Sequence, residues 1–407
     1  MSADDNNATR GGRWIRQPTG YKAFIPNALP PEPPVSMDDE LWSLLSQADR
    51  ALGRLDGSTE NVPNPDLFVA MYVRKEAVLS SQIEGTQASL MDVLEFEADA
   101  LEHGEPRDVE EVVNYVAAMN YGLGRLSELP ISIRLIREIH ERLMAGVRGS
   151  ERQPGELRTS QNWIGPAGCT LETAKFVPPP PQDVPGALGN LEQFLHDESP
   201  MPVLLKVGLA HAQFETIHPF LDGNGRVGRL LITFLLCEKQ VLKRPLLYLS
   251  YFFKQHRSEY YDRLQGVRDN GDWEGSLKFF LRGVYDVSQQ ATETARQIVQ
   301  LRELLRQTIT AEFGGGAANA LTLFEKLFWR PIISIQYAAE VTDLAYSNAN
   351  RIIARFEKMG LLRETTGRKR NRRFAFDPYL KLFDDPETGS AGIHIQNANA
   401  QSRRNSR

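Results

Sequence analysis

The sequence predicts a mainly α-helical protein of more than one domain, with a short β element set among the helices and a smaller mixed unit near its C-terminal end. Three observations carry this. From Met37 to Tyr285 apolar residues recur at intervals of three and four, the period of helices with one buried face. That period stops only between Pro154 and Pro181, where two short apolar runs flank Gly165-Pro166-Ala167-Gly168. After Gly314-Gly315-Gly316 it resumes in shorter pieces that end in a basic stretch reading as two strands.

A chain of 407 residues exceeds one ordinary domain and can bury a substantial core. Hydrophobic content of 41% and charged content of 24% are those of a globular protein. A net charge of -5 gives no global affinity for nucleic acid, so any basic surface must be local. The apolar run Leu230 to Cys237 falls far below the roughly 18 residues of a membrane span. The opening MSADDNNATRGGRW has no apolar signal core. Cys169 and Cys237 are too few for a disulfide framework. A cytoplasmic protein with no membrane partner is expected.

Residues 1–12 read as disordered, and Pro30, Pro31, Pro33 and Pro34 as an extended strap. Leu41, Leu44, Leu45, Ala51 and Leu52 then share a helix face, with Asp38 or Ser36 as cap and Asp56-Gly57 as its end. After a turn at Pro63 to Pro65, Phe68, Tyr72, Leu79 and Ile83 mark a second helix that ends in Ser80-Ser81-Gln82-Ile83-Glu84-Gly85, with Gly85 as the stop. Glu84 in a last turn opposes the helix dipole, which costs some tenths of a kcal/mol. A residue that contradicts local helix physics points to function.

Ser89 and Asp92 form a capping-box-like start for a helix carrying Leu90, Val93, Leu94 and Leu101. Asp108 opens the next, with Val109, Val112, Val116 and Met119 inward, and Leu135, Ile136, Ile139 and Leu143 mark another after Pro130. His140 beside that stripe reads as a core histidine and not as a ligand. Asn162-Trp163-Ile164 and Lys175-Phe176-Val177 read as a two-stranded hairpin. Beyond Asp183 come Leu188, Leu191, Phe194 and Leu195, then Val203, Val207, Ala210, Phe214 and Ile217 in alternating steps of four and three. The next helix is apolar nearly all round, from Leu230 to Leu236, and must be central.

Between those two helices lies His218-Pro219-Phe220-Leu221-Asp222-Gly223-Asn224-Gly225-Arg226-Val227-Gly228-Arg229. Gly223, Asn224 and Gly225 turn directly into the apolar helix, so an amide nest and a helix N-terminus point at one anion. Arg226 and Arg229, three apart, can grip phosphate oxygens as two forks. Asp222 is the oxygen ligand for a magnesium ion bridging the same phosphates. His218 has the pKa range of a general base.

This stretch matches HxFx[DE]GNGRxxR at every fixed position and resembles the Fic family of protein adenylyltransferases. The resemblance implies a helical Fic core with a small β-hairpin flap, the 162–177 hairpin, which aligns a target segment over the site. It implies transfer of AMP from ATP to a hydroxyl of a protein target, with His218 as base and Asp222 holding Mg²⁺. Gly223, Asn224, Gly225, Arg226, Gly228 and Arg229 would bind the nucleotide. Ser80, Glu84 and Gly85 fit the inhibitory motif [ST]xxxE[GN] of one class of the family, in which the glutamate pairs with the second arginine, here Arg229. Tyr260 and Tyr261 match paired tyrosines placed near adenine, with core packing as the open alternative. Arg268 stands where many relatives have an Asn near adenine, so that contact is not carried over.

Toward the C-terminus, Asn270 to Trp273 mark a turn before a helix from Leu277 to Tyr285, and a polar helix from Ser288 to Phe313 leads to the Gly314 to Gly316 joint. Three short helices, Ala318 to Trp329, Ile335 to Val341 and Ser347 to Met359, precede two strands between Gly360 and Phe376. This resembles a winged helix-turn-helix. Arg368, Lys369, Arg370, Arg372 and Arg373 lie in its wing, and Ser347, Asn348, Asn350 and Arg351 early in its third helix, suited to phosphates and bases. Duplex DNA and a docking or homodimer surface both stay open for it. The expected divisions are 1–105 with the inhibitory helix, 106–287 as the core, 288–317 as linker helix and joint, 318–381 as winged helix and 382–407 as a disordered tail.

The partners implied are ATP and a protein offering a Ser, Thr or Tyr hydroxyl. Removal of AMP from modified targets, and a DNA-binding regulator with a nucleotide-sensing core, are the alternatives.

Overall fold

The structure, a computed structural model, describes residues 8–58, 66–99, 107–147, 151–166 and 168–384. The first seven residues, the Pro63 to Pro65 turn, Leu101, Ala167 and the tail after Asp384 lie outside them. Two compact units divide the described chain: residues 8–299 with 328–330, and residues 300–327 with 331–384. The chain is mainly helical with small antiparallel sheets.

The first unit opens on a hairpin absent from the sequence reading, β1 (Gly12–Arg16) against β2 (Lys22–Pro26), with Trp14 opposite Phe24. The expected disorder covered residues 1–12 only and so met the hairpin at Gly12 alone. The hairpin is held by long-range aromatic packing, since Trp14, Phe24 and Phe176 form one cluster with centroids 5.2 to 6.1 Å apart. The Phe24 N–H also donates to Val177 O at 2.9 Å, tying the hairpin to the chain beside Phe176.

The helices follow: α1 (Asp39–Ser58), α2 (Asp66–Ile83), α3 (Leu90–Asp99), α4 (Arg107–Arg125) and α5 (Ile133–Leu143). Asp38 caps α1 through the Leu41 N–H at 2.8 Å. Ser89 and Asp92 satisfy each other's backbone amides at 2.8 and 3.2 Å. Then come α6 (Val184–His196), α7 (Val203–Ile217), α8 (Asn224–Glu238), α9 (Ser250–Gln255), α10 (Arg257–Asn270) and α11 (Trp273–Phe313). α7 and α8 pack on each other and are buried along almost their whole length, including Gln213, Glu215, Thr216, Arg226 and Arg229. Polar side chains in a buried helix pair need local partners, and these cluster at the ends that meet.

Two expectations are corrected here. The 162–177 hairpin is one β-bridge, Ile164 with Phe176, closed by two backbone hydrogen bonds of 2.8 and 3.0 Å. Pro166 offers no donor, and turns at Pro166 to Cys169 and Thr170 to Thr173 take the backbone groups a second ladder pair would need. The separate helices 277–285 and 288–313 are one helix, α11. Ala291, Ala295 and Ile298 continue its buried face, and the Thr292 hydroxyl donates back to Ser288 O at 2.7 Å.

In the second unit Gly314–Gly316 form a single 3₁₀ turn leading into α12 (Ala317–Leu327). β3 (Ile332–Ser334), α13 (Ile335–Thr342), α14 (Tyr346–Lys358), β4 (Arg363–Glu364) and β5 (Arg373–Ala375) complete it, with α15 (Asp377–Leu380) closing it. The sheet is antiparallel in the order β3-β5-β4, so the two strands expected from the sequence gain β3 as a third. Phe324, Ile333, Ile353, Phe356 and Phe374 fill its core.

Candidate active site

The loop between α7 and α8 is built by its neighbours. α7 ends where His218 takes a left-handed conformation, φ 49° and ψ 61°, its N–H still bonded to Phe214 O at 3.0 Å. Gly223 at φ 74° starts α8, and a side chain there would meet the Met144 sulfur at 2.8 Å. Asn224 closes the loop with its own amide: its Oδ1 accepts from Phe220 N–H and its Nδ2 donates to Phe220 O, both at 2.8 Å.

Three residues tie down the loop carbonyls. Arg158, 2% exposed, donates from Nε to His218 O at 2.9 Å and from Nη2 to Pro179 O, and its N–H reaches Pro219 O at 3.0 Å. Asn162 donates to Phe220 O at 2.8 Å. His140 accepts the Gly155 N–H on Nδ1 at 2.8 Å, so the proton sits on Nε2, which faces Asp222 O at 3.1 Å. Burial pushes its pKa down to about 4, and its ring stacks on Phe220 at 3.8 Å. His140 is thus a neutral strut, as the sequence suggested.

With the carbonyls engaged, helix geometry leaves the first-turn amides of α8 without intrahelical partners. Arg226 adds charge. It is 4% exposed, its Nη1 lies 3.6 Å from Glu111, and among the described residues its Nε and Nη1 make no hydrogen bond. Buried guanidinium donors without acceptors are costly, and an anion would satisfy them.

Arg229 already has an anion. Its Nη2 donates to Glu84 Oε1 at 2.6 Å and to Ser80 O at 3.0 Å, and its Nε donates to Ser80 Oγ at 2.8 Å. The same Glu84 oxygen would lie 2.2 Å from a Cβ on Gly225, so the carboxylate rests on the first turn of α8 where only glycine admits it. Burial raises the Glu84 pKa, but Arg229, and then Arg226 and His218, more than offset this and hold it below the usual carboxylate range. Arg229 is held above its ordinary value by the same pair, against its own burial.

His218 is pushed down to about 3 by burial first, then by the Arg268 and Arg158 guanidiniums, with Glu84 opposing. The imidazole is neutral and can accept a proton. Asp222 bonds the Gly223 N–H at 2.7 Å and has Arg152 at 3.6 Å, and its side chain is 38% exposed. Among the described residues no group of three or more His, Cys, Asp or Glu could hold a metal by itself. A divalent ion here would take one carboxylate and draw its other oxygens from phosphates and water, the usual arrangement for magnesium.

Tyr260 and Tyr261 part company. Tyr260 is 3% exposed, stacks on Phe253 at 4.5 Å, and its hydroxyl bonds His211 Nε2 at 3.0 Å, while His211 Nδ1 bonds Gly228 O at 3.0 Å. It is a core residue that props α8 through His211. Tyr261 is half-buried beside Arg257, whose Nη2 donates to Ile83 O at 2.9 Å, next to Glu84. Arg268 is held by Glu215 O at 3.2 Å and Thr216 Oγ1 at 3.3 Å and lies over the Phe176 ring at 3.7 Å.

The sequence reading missed Arg158, Asn162 and Glu215. It also missed Glu76, which accepts from Ser250 N–H at 3.1 Å and from Tyr115 OH at 3.2 Å beneath Ser80. Burial raises both Glu76 and Glu215 to about 7. A signal existed for Glu76, since Glu76 and Ser80 on α2 and Glu84 just after it recur every four residues. Arg158 and Asn162 sit in irregular chain with no period to betray them.

Two family models match this chain: Fic/DOC family N-terminal over residues 42–124 and Fic/DOC family over residues 130–236. A probable protein adenylyltransferase of Aquifex aeolicus is 35% identical over 181 residues, 43% of this chain and 51% of that protein. The protein adenylyltransferase Fic of Drosophila willistoni is 29% identical over 240 residues, 54% and 44% of the two chains, and that of Aedes aegypti 31% over 195 residues, 47% and 34%. The chain thus spans about half or less of the length of these relatives. A crystal structure of a Fic family protein from Desulfovibrio desulfuricans G20 shares the fold, with a TM-score of 0.55 at 19% identity over 84% of this chain and 97% of that one. No helix among the described residues is long and apolar enough to cross a membrane. Residues 42–124 and 130–236 thus match the N-terminal and Fic domains of the Fic/DOC family, and the loop between α7 and α8 lies inside the second.

Proposed function

We propose that this chain transfers AMP from ATP to a Ser, Thr or Tyr hydroxyl of a protein, its own chain included, and that Glu84 restrains the reaction. The observation that carries this is the Glu84 carboxylate, bound by Arg229 at 2.6 Å on the Gly225 turn. It marks where an anion binds and occupies that place at once.

ATP phosphates would meet the α8 amides, the unmet donors of Arg226 and, once Glu84 withdraws, the Arg229 fork. The target hydroxyl oxygen attacks the α phosphorus and gives its proton to His218. The bond from that phosphorus to the bridging oxygen breaks, and pyrophosphate leaves. Asp222 would hold Mg²⁺, which supplies neutralising charge for the phosphates. Positioning and electrostatics carry most of the rate in such a transfer.

With Glu84 on Arg229, that fork is closed to phosphate, so the chain should bind ATP with its α phosphate out of line for attack. The test is the intact mass of the full chain after incubation with Mg²⁺ and ATP, for wild type and Glu84→Gly. A gain of whole AMP units that is larger in the variant supports the proposal. A gain of phosphate alone, or none in either protein, overturns it.

A further inference from the structure

We propose that the second unit binds duplex DNA, with α14 in the major groove and the β4–β5 turn against the backbone. This goes beyond the transfer reaction and does not rest on it.

α14 is cleanly divided. Ala349, Ile352, Ile353 and Phe356 are buried, while Ser347, Asn348, Arg351, Ala354 and Lys358 are exposed, and that outward face carries no acid. Tyr346 at its first turn is 60% exposed. Small hydroxyl and amide side chains followed by an arginine, on the first two turns of a helix, suit base edges and flanking phosphates.

The β4–β5 turn supplies the second element. Gly367 to Asn371 are exposed throughout, with Arg368, Lys369 and Arg370 between two residues at positive φ, 63° and 53°. The turn is fixed beside α14, because Arg372 Nη2 donates to Asn350 Oδ1 at 3.1 Å. Helix face and basic turn therefore belong to one surface.

Glu340 on α13 and Asp343 in the turn before α14 are exposed, but two acids nearer the β4–β5 turn are already engaged. Glu364 accepts from the Thr366 and Gly367 amides at 3.0 and 2.8 Å and so caps the turn. Asp377 is paired with Arg363 at 2.8 Å and Lys381 at 2.7 Å. In a chain of net charge -5, a surface with Arg351, Lys358, Arg368, Lys369 and Arg370 outward is a local reversal of sign. Duplex DNA fits it better than duplex RNA, whose narrow major groove excludes a helix.

The test uses the full chain and fluorescently labelled 25-base-pair duplexes of mixed sequence, with anisotropy read from about 50 to 200 mM salt. Affinity should fall steeply with salt. The exposed triple variant Arg368→Ala, Lys369→Ala, Arg370→Ala should weaken binding and flatten the log–log slope by about 2 to 3, one phosphate for each lost cation. Asn348→Ala with Arg351→Ala should abolish the enrichment of any sequence selected from a random duplex pool by wild type. No salt-dependent binding to DNA, a slope unchanged by the triple variant, or equal affinity for duplex RNA each overturns the proposal. The first of these results assigns the surface to protein docking.

Discussion

Glu84 Oε1 sits 2.6 Å from Arg229 Nη2 and directly over Gly225, so one carboxylate closes both the guanidinium and the helix turn that face the loop of His218. Arg229 is buried and cannot reach past it. Glu84 keeps 35% of its side chain exposed, so it is the partner able to leave.

Glu84→Gly should therefore raise automodification by about tenfold or more, a change equivalent to about 1.4 kcal/mol. Removing one partner of a buried pair ordinarily destabilises, but arriving phosphates replace the lost charge. Arg229→Ala should stay poorly active with or without Glu84. Rates for wild type, both single variants and the double variant under one ATP and Mg²⁺ condition decide this. Equal rates for wild type and Glu84→Gly would leave Glu84 a mere helix-end residue.

Gly225→Ala tests the same contact from below. Its Cβ would meet Glu84 Oε1 at 2.2 Å and Arg229 Nη1 at 3.0 Å. The substitution should cost about 1–3 kcal/mol in wild type and much less in Glu84→Gly. A double-mutant cycle by denaturant unfolding measures the difference. Additive effects would show that the glycine serves another purpose.

These relationships were unevenly legible. The α7–α8 pair was readable because Val203 to Ile217 repeat in steps of four and three and the apolar run after Arg229 has no polar face. The Glu84 signal was readable because it defied helix electrostatics. Three-dimensional closure was not: Arg158 reaches His218 across 60 positions, and Asn224 turns its side chain back to Phe220. Tyr260 and Tyr261 are adjacent in sequence yet face different surroundings, and helix spacing alone did not decide which one the core takes. The β1–β2 hairpin owes its order to Phe176, far along the chain, and local composition had nothing to say of it.

Burial, with Arg268 and Arg158, pushes the His218 pKa down to about 3, so the imidazole is neutral from pH 5 to 8. Automodification by Glu84→Gly should show no acid limb near pH 6.5. Loss of Glu84 removes a negative charge that holds the imidazole up, which lowers its pKa further. The profile of kcat/KM from pH 5 to 8 reports the free enzyme and settles this. His218→Ala should cut transfer by about 10² to 10⁴-fold while ATP binding persists, because in the proposed transfer the imidazole serves the hydroxyl and not the phosphates.

Glu215 supplies a prediction about stability. Its carboxyl is 6% exposed, and among the described residues its Oε1 has no hydrogen-bond partner. Burial raises it to about 7, and Glu84 adds to this while Arg229 and Arg268 only partly offset it. An unfolded chain loses this proton near pH 4.5, whereas the folded protein keeps it until about 7. Between those values the folded state binds more protons, so stability falls as pH rises and levels off above 7. Glu76, raised to about 7 by burial, acts in the same direction. Glu84 acts in the opposite one, but its contribution is present above its unfolded pKa and is lost only at lower pH. Glu215→Gln should therefore lose less Tm than wild type between pH 5 and 8, a difference of up to about 3 kcal/mol at one pKa unit per 1.4 kcal/mol. Glu76→Gln in addition should flatten the dependence further. Parallel Tm curves for wild type and Glu215→Gln would place this carboxyl's titration in its ordinary range.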